Sequence, residues 1–360
     1  MNKKIIFSSG GTGGHLFPAI NMMKHFSNKG YEVLLVTDPR GSSFIKNYTK
    51  FRTYIIKAES PIKKSFFKKI FSYLIVFYSI IKSVGILIKE KPNLTFGFGG
   101  YVSFPISIVS KLFNLPLVIY ENNAVLGRAN KYLLPFTKKI FLASNTPINF
   151  PHKYKNKILE SGYILDKDII NYLNKENENK TSENFSILVL GGSQGAEVFG
   201  KIIPPVIKMI REKGHNIEIV QQCTESQKKY IEEFYNKNKI KNKVFNFSNN
   251  ILDLISSASM AISRCGASTM AELVHVNTPF IAVPIPQSID NHQLLNAKHY
   301  ENKGCCWVIE QSNFNSNNLF NLIIKVMENK KELFDMQKNM KRNINNEVYT
   351  KIENEIKILI

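Results

Sequence analysis

The chain has 360 residues, 44% of them hydrophobic, and a formal net charge of +20 from 48 Lys and Arg against 28 Asp and Glu. That length and apolar content exclude a disordered chain and predict two domains or one large one. The positive excess suits anionic partners such as phosphorylated substrates or lipid headgroups, although a bias of the source toward Lys, Asn and Ile explains the same excess.

The amino terminus runs through a few polar residues into "KKIIFSS", a strand, with no apolar leader or cleavage site, which predicts a cytosolic protein. "GGTGGHLFPA" follows, and a helix is expected from about Pro18 to Lys29. "YEVLLVTD" is the next strand. Residues 70 to 91, "IFSYLIVFYSIIKSVGILIKEK", are nearly continuously apolar and follow Lys63, Lys64, Lys68 and Lys69. The uninterrupted stretch ends at Lys82, short of the roughly 20 residues that cross a bilayer. A buried core helix is the leading reading, and a helix lying in an anionic membrane interface is second. "NLTFGFGG", "LPLVIYEN", "KKIFLAS" and "NKILESG" are apolar runs closed by glycine or polar loops. Helices between such strands imply a parallel sheet covered on both faces.

"DIINYLNKENENKTSENFS" breaks the pattern, and its second half reads as a surface linker. "FSILVLGGSQGAEVFG" restarts it, and "NIEIVQQC", "NKVFNFS", "SMAISRCG" and "TPFIAVPIP" continue it, before helical segments rich in Lys and Glu. Both halves open on an apolar strand and a Gly-Gly loop. This echo predicts two Rossmann-like, doubly wound domains facing each other across a cleft, with ligands beyond the carboxyl ends of the strands. Cys223 and Cys265 stand alone and Cys305 and Cys306 are adjacent, so there is no CxxC pair to hold zinc, which fits a reducing compartment.

A glycine-rich turn into a helix offers backbone N–H groups to a phosphate. The dinucleotide fingerprint fails, because Gly11 and Gly13 would require a third glycine where Leu16 stands, although Asp38 ends the second strand as a ribose ligand would. His15 at the positive end of a helix favours the neutral imidazole and can accept a proton near an anionic leaving group; the plainer reading is a helix cap. "GFGGYVSFP" follows a strand that ends near the same place. Glu121, Asn122 and Asn123 can position sugar hydroxyls. Gly266 to Thr269 open a helix, with Glu272 one turn in and on the face of Ser268, an arrangement suited to a diphosphate and a ribose diol. Asn291, His292 and Gln293 lie beside another strand end. Asp166-Lys167-Asp168 spells a metal-binding D-x-D but does not follow a strand, and reads as helix capping.

Together "GGTGGHLFPA", "GFGGYVSFP", "ENNAVLGRAN", "GGSQGA", "RCGASTMAE" and "DNHQLLNA" resemble the ordered motifs of the MurG family of bacterial N-acetylglucosaminyltransferases, from Gly10 to about Ala297. The resemblance implies a GT-B fold. An acceptor- and membrane-binding domain would span residues 1–163, with a helix in 341–360 crossing back to it, and a UDP-GlcNAc-binding domain residues 164–340. It implies metal-independent, inverting transfer of GlcNAc from UDP-GlcNAc to the C4 hydroxyl of the MurNAc of lipid I, giving lipid II, at the cytoplasmic face of the inner membrane.

The expected partners are an anionic membrane surface and wall-synthesis and division proteins, with no nucleic acid. Carried over by motif, His15 is the base, with Glu121 the next candidate. Thr12, Gly13, Gly14, Asn123, Ser193, Ser248, Ala267, Ser268, Thr269, Met270, Ala271, Glu272 and Gln293 face UDP-GlcNAc, the first three lying by the acceptor diphosphate as well, and Gly99, Gly100 and Tyr101 lie on the acceptor side. An arginine usual in the family falls here on Asp166, and a usual glutamine on Asn122. Another GT-B glycolipid transferase is the alternative enzyme, and a basic membrane-bound scaffold the alternative without catalysis.

Overall fold

The computed structural model describes residues 3–360 except 12, 46–50, 58–65, 146, 148–149, 173–183, 193–195, 249 and 287, and leaves aside the side chains of 44, 66–69 and 289. The chain divides into two compact units, Met1–Asp166 with Asn345–Ile360, and Lys167–Ile344. The segment expected to be a linker has Lys167–Tyr172 as a helix, and its remainder, 173–183, lies outside the described residues.

The first unit holds β1 (Lys4–Ser8), β2 (Glu32–Thr37), β3 (Arg52–Ile55), β4 (Leu94–Gly97), β5 (Leu117–Glu121), β6 (Lys139–Leu142) and β7 (Ile158–Glu160). They form a parallel sheet in the order β3-β2-β1-β4-β5-β6-β7. The second unit holds β8 (Phe185–Leu190), β9 (Ile217–Gln222), β10 (Lys241–Phe245), β11 (Met260–Ser263), β12 (Phe280–Ala282) and β13 (Trp307–Val308). Their order is β10-β9-β8-β11-β12-β13, again parallel. The central strands are apolar throughout because helices cover both faces: Ile5, Ile6 and Phe7 are wholly buried, as are Ile187, Leu188 and Val189. β3 and β13, which sequence pattern did not reveal, are short edge strands with half-exposed side chains.

In each sheet the chain order reverses beside the first strand, between β1 and β4 and between β8 and β11. Loops leaving those two strands diverge and open a crevice for a ligand. The glycine loops of both halves lie at these points.

The helix expected from about Pro18 begins earlier, at Gly13, and runs to Asn28. The last helix, Val348–Leu359, packs in the first unit: His25 Nε2 meets Glu353 Oε2 at 2.8 Å, and the Tyr349 hydroxyl donates to Leu165 O at 2.6 Å. Burial works to raise the Glu353 pKa, but hydrogen bonds from Lys357 and His25 outweigh it and hold the carboxyl below its usual range.

The long apolar segment forms the helix Phe66–Glu90, which is largely exposed and joins the core mainly near its end, through Ile86 and Leu87. Its buried positions include Ser72, Ser79 and Ser83, whereas Ile70, Phe71, Tyr73, Leu74, Phe77, Tyr78 and Ile81 are about half exposed or more. Over residues 70–83 the buried positions are serines and most of the large apolar side chains point outward, inverting the usual amphipathic pattern, whereas nearer its end Ile86 and Leu87 are buried in the core. The serines are accommodated because Ser83 Oγ donates to Ser79 O and Ser79 Oγ to Lys57 O. At its far end Glu90 is buried and joins Lys4 of β1 to Arg52 and Tyr54 of β3. By length and composition this is the one helix among the described residues that could cross a membrane.

Candidate active site

In the first unit two glycine loops lie against each other. Gly100 has φ +77°, and a Cβ there would come within 2.8 Å of Gly10 O, so only glycine permits the approach. A Cβ on Gly99, also left-handed, would stand 3.1 Å from His15 Nδ1, which places the imidazole directly against this second loop. Ser103 Oγ donates to Gly100 O at 2.8 Å and fixes the turn into the helix Ser103–Leu112. Tyr101 is half-buried in that turn. His15 is half-buried in the first turn of its helix. Thr12 lies outside the described residues.

Asp38 is buried, and its carboxylate accepts from Gly11 N at 3.1 Å and Gly41 N at 2.6 Å. It therefore braces the first glycine loop. A ribose ligand would have needed the same oxygens.

Asn122 has an equally definite partner. Pro18 has no N–H, so the carbonyl four residues earlier, that of Gly14, lacks its helical donor. Asn122 Nδ2 supplies one at 3.1 Å. The buried Tyr120 hydroxyl lies 3.3 Å from Asn122 Oδ1 and accepts from Ile164 N at 3.1 Å, so the end of β5 is tied to the chain beyond β7.

Glu121 is 1% exposed and accepts four hydrogen bonds from its own loop. Asn123 N and Nδ2 donate to Oε1 at 3.1 and 3.2 Å, and Gly127 N and Asn130 Nδ2 to Oε2 at 2.7 and 2.9 Å. A carboxylate so engaged holds the turn from Asn123 to Asn130 in place. The sequence offers Glu121 as the next candidate base after His15, and the structure gives both of its oxygens to this turn. The signal lay in "ENNAVLGRAN", where a carboxylate is followed within nine residues by a glycine and an asparagine that turn back to it.

In the second unit the helix Ala267–His275 starts at Gly266 with no side-chain cap, leaving its first N–H groups directed out of the helix. Ser268, Thr269 and Glu272 are half-buried on its accessible side. Met270 and Ala271, expected to face the donor, are buried in the core at 0% and 4% exposure, and Met270 N already donates to Gly266 O. The heptad-like spacing that brings Ser268 and Glu272 to one face turns these two away. Ala267 is itself buried, so its contribution is its backbone.

Gln293 Oε1 bridges Cys265 N at 3.2 Å and Ile285 N at 3.1 Å. It joins the ends of β11 and β12, so what it can offer a ligand is its amide N–H. Asp290 and Asn291, both left-handed with φ 53° and 55°, make the sharp entry to the helix His292–Glu301. Ser248 Oγ accepts from Asn250 N at 3.2 Å at the start of the helix Ile251–Ser257. Ser193 lies outside the described residues. Asp166 lies 3.5 Å from Lys24 Nζ, and no group of three or more His, Cys, Asp or Glu fit for a metal occurs among the described residues.

Two Rossmann-like parallel sheets in series, each with a glycine loop at its switch point, are the GT-B fold. Residues 5–142 match the glycosyltransferase family 28 N-terminal domain and residues 186–352 the family 28 C-terminal domain. The UDP-N-acetylglucosamine--N-acetylmuramyl-(pentapeptide) pyrophosphoryl-undecaprenol N-acetylglucosamine transferase of Pelagibacter ubique (strain HTCC1062) is 34% identical over 341 residues, covering 95% of this chain and 94% of its own. Its namesake from Rickettsia canadensis (strain McKiel) is 34% identical over 341 residues, with 94% of each chain covered. The crystal structure of Acinetobacter baumannii MurG shares the fold, with a TM-score of 0.78 at 24% identity over 99% of both chains. The chain belongs to this N-acetylglucosaminyltransferase family.

Proposed function

We propose that the protein transfers GlcNAc from UDP-GlcNAc to the C4 hydroxyl of the MurNAc of lipid I, releasing UDP and forming lipid II. The observation that carries this reading is the match to the named transferases over 94–95% of the chain. The two family domains cover residues 5–142 and 186–352, which include the glycine loops of both units and the segments of Glu121, Gly266 and Gln293.

In this reading the second unit holds the donor. The N–H groups of Ala267, Ser268 and Thr269 receive the diphosphate, Glu272 the ribose hydroxyls, Gln293 Nε2 and Asn123 the sugar, Ser193 the phosphates, and the backbone near Ser248 the uracil. The first unit takes lipid I against Gly13, Gly14 and the Gly99–Tyr101 loop.

The acceptor oxygen attacks the anomeric carbon from the face opposite UDP. The new C–O bond forms as the bond to the β-phosphate oxygen breaks. The proton passes to His15, and the electron pair leaves with UDP, stabilised by the helix N-terminus. Because those backbone donors offset the leaving charge, turnover is expected to persist in EDTA. The direct test is UDP release from UDP-GlcNAc and a short-chain lipid I analogue, with and without chelator. Absence of release with the analogue, but release with a diacylglycerol acceptor, would transfer the protein to the other glycolipid enzymes.

We further read the outward face of Phe66–Glu90 as the surface that rests in the interface of an anionic membrane on the cytoplasmic side. Lysines near such a surface contribute about 1 kcal/mol each. Changing Lys64, Lys68 and Lys69 to glutamate is expected to release the protein from anionic liposomes while activity on a soluble acceptor analogue persists. Equal liposome binding by variant and parent rejects the electrostatic part of this reading. Lys64 lies outside the described residues, as do the side chains of Lys68 and Lys69.

A further inference from the structure

Arg264 leaves the end of β11 at the switch point of the second sheet, where its N–H donates to Leu190 O, the last residue of β8, at 3.0 Å. Its side chain turns inward and is 8% exposed. Nη1 donates to Val283 O at 3.1 Å and Pro284 O at 3.4 Å, and Nη2 to Gln311 Oε1 at 2.7 Å. The guanidinium stacks 4.8 Å from the Phe199 ring, on the helix Glu197–Glu212 that follows the second glycine loop. Nε is buried with no acceptor.

Every one of these partners is neutral. No carboxylate pairs with Arg264 among the described residues, and burial pushes the thiol of neighbouring Cys265 up, so it is neutral as well. A buried guanidinium ordinarily has an anion to offset its desolvation. Here the charge stands uncompensated two residues before Gly266, where the uncapped helix begins. It also lies behind the Val283–Ile285 backbone that shares Gln293 with Cys265.

We infer that Arg264 is a fixed buried cation whose missing counter-ion is the diphosphate of the bound nucleotide sugar, and that Gln311 holds the guanidinium in place while leaving its charge intact. This deepens the donor reading above and rests on it. A neutral partner at Gln311 is what the arrangement requires. A glutamate there would keep the 2.7 Å hydrogen bond but cancel the field. A unit charge roughly 10 Å from an anion, at an effective dielectric of about 20, changes affinity by roughly tenfold.

The test compares UDP with uridine by calorimetry. In Gln311→Glu the protein should melt no lower than the parent, bind uridine unchanged, and bind UDP roughly tenfold more weakly. A clamp with a purely structural role would be tightened by the new ion pair and would bind both ligands as before. An unchanged UDP-to-uridine ratio in the folded variant therefore overturns the inference. Should Gln311→Glu fail to fold, Arg264→Lys and Arg264→Gln give the same contrast. Lysine should keep the ratio and glutamine lower it roughly tenfold; equal ratios in the two overturn it. A parent protein that binds no UDP at all overturns the donor reading, and this inference with it.

Discussion

The two units share a strand order and a glycine loop at the switch point, yet they secure their loops with opposite charges. In the first, Asp38 and Glu121 are buried carboxylates that draw backbone N–H groups onto themselves, from Gly11 and Gly41 and from Asn123 and Gly127. In the second, a buried guanidinium and the Gln293 amide oxygen tie the strand ends together, and the helix at Gly266 starts without a side-chain cap. The same scaffold thus gives one loop cluster braced by buried carboxylates, and another braced by a buried cation beside a helix start with no side-chain cap. The proposed placement of the nucleoside diphosphate in the second unit, with His15 acting from the first, rests on that difference.

The sharpest way to break this contrast is at His15. His15→Ala is expected to lower kcat by about 10²–10⁴-fold, the usual contribution of a positioned base, with UDP-GlcNAc affinity intact because the donor is held elsewhere. His15→Asn can keep a hydrogen bond but not accept a proton, so its kcat should fall as far. Recovery of most activity in the asparagine variant would make His15 an orienting group only. Next comes the donor side. Glu272→Ala should weaken UDP binding by about 1.5–3 kcal/mol in calorimetry, as for a hydrogen bond to a charged group.

Glu121→Gln tests the opposite unit through stability. The amide NH2 would face the donors of Gly127 and Asn130, or of Asn123, and leave buried N–H groups unmatched. A loss of about 1–3 kcal/mol in urea unfolding is expected. An unchanged midpoint, with activity abolished, would keep Glu121 on the list of bases. The smallest effect is the most specific. Asn122→Ala should cost about 1 kcal/mol by orphaning Gly14 O, and much less in a Pro18→Ala background, where residue 18 regains its own N–H. Additive losses in that cycle would dissociate Asn122 from the proline.

Most strands, and the glycine loops at the heads of both sheets, were readable because strands buried on both faces are apolar runs with abrupt ends. β3 and β13 were not: Arg52–Ile55 buries none of its side chains fully and Trp307–Val308 is two residues long, too little for either an apolar run or an alternation. The braces of the site were hidden for another reason: they depend on partners distant in sequence. Pro18 announces an orphaned carbonyl, but nothing local says that Asn122, 104 residues on, will satisfy it. Arg264 stands out as a charge in an apolar strand end, yet only its contacts with Val283, Pro284 and Gln311 explain why it turns inward. Met270 and Ala271 were assigned to the site by the motif, whereas their helix turns them to the core. The helix Phe66–Glu90 left two readings open in the sequence, core or interface, because its composition suits both. The three serines within it marked the inner face.

If the outward face of Phe66–Glu90 rests on a membrane as proposed, the way the acceptor is found changes. A protein laid on a bilayer by its apolar stripe searches a sheet two molecules deep instead of a volume, and its acceptor's effective concentration becomes the number per unit of surface. Rate would then follow the mole fraction of acceptor in the membrane, and adding inert lipid would slow turnover at constant total acceptor. The serines that face inward along Phe66–Glu90 would in this way set the dimension in which the enzyme works.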